Sequence, residues 1–104
     1  MREYSWAVSL RGRPVVQTAS LPNGGEIRVR VGIPEDPYIP RRELETVDVE
    51  LVADGRALAA VNTVLSPEQE SEALALAREI VAGLESGSLE PTAAAIEPLA
   101  DQPR

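Results

Sequence analysis

The 104-residue sequence contains no histidine, no cysteine and no lysine, and its only aromatic side chains are Tyr4, Trp6 and Tyr38. Histidine, cysteine and lysine supply most general bases near neutral pH, most covalent nucleophiles other than serine, and most transition-metal ligands. Their joint absence excludes Ser-His-Asp, Cys-His and Ser-Lys nucleophile systems. It also excludes thiolate or imidazole metal sites and any disulfide framework. No run of about 18 apolar residues occurs, so no membrane-spanning helix is expected. The opening Met1-Arg2-Glu3-Tyr4 lacks the charged-then-apolar pattern of a signal peptide, and a cytoplasmic protein is the expectation.

Phosphate-binding motifs are missing as well. Asn23-Gly24-Gly25 falls between two strand patterns rather than ahead of a helix, so it lacks the amide cradle such sites use. Asp48 and Glu50 supply two acids on one strand face, with no calcium-loop spacing around them and no sign of convergence in a pocket. No cofactor and no metal are expected. An enzyme restricted to Asp, Glu, Arg and Tyr chemistry is the least favoured functional reading.

The chain is 43% hydrophobic, enough at this length for one core without metal or disulfide staples. All ten basic residues are Arg, and with the abundant Ala this points to a GC-rich bacterial genome. The formal charge of −7 works against non-specific binding to nucleic acid or anionic membrane. That charge is unevenly placed. Residues 1–42 carry a net +3 and residues 43–104 a net −10, which suggests that the two halves neutralise each other across a sheet.

Period-two alternation marks the strands. Residues 3–10 alternate with Tyr4, Trp6, Val8 and Leu10 on one face, and Arg11-Gly12-Arg13-Pro14 reads as a turn. A weaker strand spans Val15 to Leu21, followed by the hairpin signal Pro22-Asn23-Gly24-Gly25. Residues 26–33 set Ile27, Val29, Val31 and Ile33 inward and Glu26, Arg28 and Arg30 outward. Three prolines make 34–42 a loop. Residues 44–53 form a fourth strand with Val47, Val49 and Leu51 inward, and residues 56–65 a fifth.

The turn between the last two strands admits two registers. A two-residue Asp54-Gly55 turn sets Leu58, Ala60 and Asn62 inward. A three-residue loop with Gly55 left-handed sets Ala57, Ala59 and Val61 inward, and is preferred because it keeps Asn62 out of the core.

Ser66-Pro67-Glu68-Gln69 predicts a helix start, with Ser66 as cap and Gln69 completing a capping box. Ala73, Leu76, Ala77, Ile80, Val81 and Leu84 form a stripe at helical spacing, and Gly87 is a natural stop. The expected fold is therefore α+β: a mostly antiparallel meander of about five strands packed in two layers on one C-terminal helix. Residues 1–90 form the single domain, and 91–104 a short helical turn and frayed tail. One helix covers only part of such a sheet, which leaves a remainder for strong curling or a second chain.

The expected function is a non-enzymatic protein-interaction or regulatory module. It would bind a protein partner, or itself as a homo-oligomer (a dimer), through the free sheet face and the 34–42 loop. Candidate contacts are Val52, Leu58 and Val64, with Val16, on the outer face, and Tyr38, Arg41 and Arg42 in the loop. The alternative is a nucleic-acid-linked role. Arg28 and Arg30, roughly 7 Å apart on one strand face, would bind an anion, or the acidic helix would act as a nucleic-acid mimic. Pairing of Arg28 and Arg30 with Asp48 or Glu50 is the simpler expectation for that surface.

Overall fold

The computed structural model describes residues 14–33 and 46–102. Four strands, β1 (Val15–Ser20), β2 (Glu26–Gly32), β3 (Asp48–Ala53) and β4 (Arg56–Asn62), precede two helices, α1 (Glu70–Ser86) and α2 (Ala93–Ala100). The strands form one antiparallel sheet in chain order, β1-β2-β3-β4. The α+β class and the meander are as expected, and the four strands match the last four of the expected five. The expected strand at 3–10, with Trp6 and Val8 as core residues, lies outside the described residues, as does the 34–42 loop.

Alternation places one side chain of each pair in the core. In β2, Ile27, Val29 and Val31 are buried while Glu26 and Arg28 are exposed and Arg30 is half-buried. Across the ladder, Ala19 stands opposite Ile27, Val29 opposite Leu51, and Val49 opposite Val61. These inward residues share a single buried cluster with Leu76, Ile80 and Leu84 of α1 and Ile96 and Ala100 of α2. At roughly 25 cal/mol per Å² of apolar surface removed from water, this common layer is the main stabilising term of the fold.

The helix stripe is buried at Ala73, Leu76, Ala77, Ile80 and Leu84, with Val81 half-buried beside it. Gly87 ends α1 in the left-handed conformation (φ 79°), donating its N–H to Leu84 O at 3.3 Å. The helix start differs from expectation. Gln69, not Ser66, is the residue that precedes the helix, and its side chain makes no cap hydrogen bond. Half of the expected box still forms, because Gln69 Oε1 accepts the Ser66 N–H at 2.8 Å. Ser66 to Gln69 thus closes one turn ahead of the helix, with the Gln69 N–H donating to Ser66 O at 3.1 Å.

The short helical turn expected in 91–104 is a helix of eight residues packed on the sheet. Thr92 Oγ1 accepts the Ala95 N–H at 3.2 Å, capping α2, and Ile96 and Ala100 are buried one turn apart. Pro98 sits inside α2 and forgoes one i→i−4 bond, which the burial of Ile96 offsets. The helices divide the inner face, α1 lying against β1 and β2 and α2 against β4. The part of the sheet that one helix would have left bare is covered by the same chain.

Candidate functional site

The face of the sheet turned away from the helices has no described element over it, and the register shows which residues share it. One cross-strand row runs Val16, Arg30, Glu50, Ala60. The next runs Thr18, Arg28, Val52, Ala57. A third brings Gly32, Asp48 and Asn62 together.

The last hairpin is built differently from the expected three-residue loop. Asp54 (φ 53°) and Gly55 (φ 75°) are both left-handed, as a two-residue type I′ turn requires. Ala53 stands opposite Arg56 and Val52 opposite Ala57, but Leu51 stands opposite Ala59. Leu58 is the extra residue of a β-bulge. The bulge restores the preferred inward positions of Ala59 and Val61 and leaves Ala57 exposed. Asn62 stays on the outer side, where its Nδ2 donates to Asp48 Oδ1 at 2.8 Å and to Thr46 Oγ1 at 2.9 Å.

The large apolar side chains on this side are not one patch. Val16, Leu58 and Val64 are 46%, 45% and 47% exposed. Val16 belongs to β1 and Leu58 to β4, three strand spacings or about 14 Å apart. Arg30 and Glu50 stand between the two strands. Val64 lies past the end of β4, where its backbone N–H donates to Ala100 O of α2 at 3.3 Å. Val52 is half-buried, and is brought beside the Ala57-Leu58 bulge. Tyr38, Arg41 and Arg42 lie outside the described residues.

Arg28 and Arg30 do share the outer face, but acids are interleaved with them. Arg30 stands directly opposite Glu50. Arg28 lines a half-open cleft of about 290 Å³ together with Thr18, Glu26, Val52 and the Asp54-Gly55 turn. One guanidinium thus shares that cleft with two carboxylates, an arrangement that repels a phosphate as much as it attracts one. The sequence contains the residues of this cleft but not their convergence, which depends on the tight Asp54-Gly55 turn bringing Asp54 to the row of Arg28. At the lower limit of ligand-pocket volumes and with a mainly polar lining, the cleft is a surface depression more than a small-molecule pocket.

The site is thus a mixed polar and apolar sheet face between β1 and β4, the outermost strands among the described residues, on an α+β scaffold. No family model matches the chain, and no curated protein and no solved structure matches it. No helix among the described residues is long and apolar enough to cross a membrane.

Proposed function

We propose that this protein is a non-enzymatic interaction module that binds another protein through the outer face of its sheet. The observation that carries this reading is the division of the sheet. Both described helices lie on one face, while the other presents Val16 and Leu58 nearly half exposed amid Thr18, Arg28, Arg30 and Glu50. Apolar side chains set among charges of both signs suit a protein contact, where the apolar groups supply affinity and the charges select the partner. The 34–42 segment joining β2 to β3, with Tyr38, Arg41 and Arg42, is its proposed second contact. The interleaved acids and the net charge weigh against the nucleic-acid alternative.

The test is affinity capture from cell extract with the full chain, followed by binding measurements on each purified partner. Val16→Asp places a charge on the face without touching the core, and should weaken a true partner by about tenfold or more. A partner that binds the folded Val16→Asp and Arg30→Glu variants as tightly as the wild type would overturn the reading.

A further inference from the structure

β1 is an outermost strand of the described sheet, and its hairpin with β2 fixes which of its backbone groups point away. The Leu21 N–H donates to Gly25 O at 2.7 Å across the turn, so the odd-numbered residues of β1 bond to β2. The N–H groups of Val16, Thr18 and Ser20 therefore point to the far side. The Ser20 N–H is taken up there by the Glu85 carboxylate of α1 at 3.0 Å. No described strand lies beyond β1 to accept those of Val16 and Thr18.

The first helix overhangs this margin. α1 lies chiefly over β1, and less over β2. Leu74, Val81 and Glu85 share one flank of α1, seven and four residues apart. The Glu85 bond to Ser20 shows that this flank faces the far side of β1. Leu74 and Val81 are half-buried on it. Backbone donors along one wall and an apolar helix flank along the other make a groove for an extended segment. A segment filling it pairs with β1 and turns alternate apolar side chains toward α1.

We propose that the occupant of this groove is the chain's own segment 3–10, which lies outside the described residues, paired antiparallel with β1. The chain enters β1 already in ladder register. Pro14 lies on Gly32 so closely that a Cβ on Gly32 would stand 2.7 Å from the Pro14 Cβ. Only Arg11-Gly12-Arg13-Pro14 separate the segment from β1, and so short a return delivers an antiparallel neighbour. With 11–14 as the turn, Leu10 falls opposite Val15, Val8 opposite Gln17 and Trp6 opposite Ala19. Ala19 is buried and Val15 and Gln17 half-buried on the helix side, so Tyr4, Trp6, Val8 and Leu10 all face α1. A turn of odd length would send every one of them to the outer face. Ser9 and Ala7 fall opposite Val16 and Thr18, the two residues whose outward N–H groups await acceptors. Glu85, holding the Ser20 N–H, closes the pairing at its far end. The segment thereby shuts this side of the sheet to foreign strands. The inference does not rest on the outer-face reading, and its failure would leave that reading standing.

The full chain has one tryptophan and no cysteine, so two probes report without background. The first is Trp6 fluorescence. Its emission should be blue-shifted and shielded from iodide in the folded chain. Thr18→Pro removes an N–H that points away from β2. It should release the segment, shifting Trp6 emission to the red while the circular dichroism of the helices is kept. The second probe is a pair of disulfide variants. Directly opposite residues stand about 5.5 Å apart in a hydrogen-bonded pair, within disulfide reach. Ala7→Cys with Thr18→Cys should therefore close within one chain on mild oxidation. Ser9→Cys with Ser20→Cys, four residues out of register and roughly 13 Å apart, should stay reduced. A folded wild type whose Trp6 is quenched as freely as tryptophan in solution overturns the proposal. So do two disulfide pairs that close equally well, or an Ala7–Thr18 bridge that links two chains instead of closing within one.

Discussion

The Thr63 hydroxyl donates to the Val47 carbonyl at 2.8 Å and accepts the Leu65 N–H at 3.1 Å. Thr63 is the one buried polar side chain among the described residues, 2% exposed, and both of its bonds lie inside the core. They continue the β3–β4 ladder past the last strand residue and hold Leu65, also buried, in the core cluster.

Thr63→Val preserves shape but removes both bonds. It leaves the Leu65 N–H unpaired in an apolar setting, which costs about 1–3 kcal/mol. Thr63→Ser keeps the hydroxyl and loses one methyl, a smaller penalty of about 1 kcal/mol. Thermal melts should therefore rank wild type above Ser and Ser above Val. The reverse order would mean that packing, not hydrogen bonding, holds this segment.

A second prediction sets helix propensity against packing. Gly83 lies within α1, where Gly→Ala normally stabilises by about 1 kcal/mol. A Cβ at Gly83 would stand 2.8 Å from Leu89 Cβ, and Leu89 cannot easily withdraw, because its N–H bonds to Gly83 O at 3.0 Å. Overpacking of this kind costs about 1–3 kcal/mol, so the clash wins. Gly83→Ala should lower the melting temperature. In a Leu89→Gly background the same change should raise it, and that reversal of sign is the measurement to make.

The hairpin gives a third. Gly55 at φ 75° has nothing within 4 Å of a built Cβ, so its substitution is limited by backbone conformation alone. Gly55→Ala should cost about 1 kcal/mol through left-handed strain. Asp54 already occupies φ 53°, where Asn is preferred in type I′ turns. Asp54→Asn should be neutral or stabilising in denaturant titrations. A stabilising Gly55→Ala would contradict the two-residue turn.

That turn also shows where sequence reasoning stops. The inward residues Ile27, Val29, Val31, Val49 and Leu51 follow from period two, and Leu76, Ile80 and Leu84 from the helical period, because each segment is long enough to carry its signal. The inward placement of Ala59 and Val61 follows from the cost of burying Asn62. The device that achieves it, a tight turn plus a bulge at Leu58, does not, since a bulge leaves no periodic trace in so short a strand. The outer face was likewise legible as a set of residues, but the distance between Val16 and Leu58 depends on strand order. The Glu26, Arg28 and Asp54 cleft needs both order and turn geometry.

α2 marks the other limit, and supplies the last prediction. Eight residues span about two turns, and Pro98 and Pro103 read as breakers, so 91–104 reads as a short helical turn and a frayed tail but not as a packed element. Its evidence is tertiary: Ile96 is fully buried and Ala100 nearly so, with α2 packed against β4 while α1 lies mainly against β1 and β2. Truncating a fully buried Ile to Ala costs about 2–5 kcal/mol. Against a typical domain stability of about 5–15 kcal/mol, that is a large fraction. Glu97→Ala, one residue away and exposed, should stay within about 0.5 kcal/mol. If 91–102 were a tail, both substitutions would be silent. A melt in which Ile96→Ala loses roughly 10 °C or more while Glu97→Ala loses almost nothing would establish that α2 belongs to the folding unit. It would also mean that α1 and α2 together cover the inner face of the sheet, so that the proposed partner contact falls on the outer face.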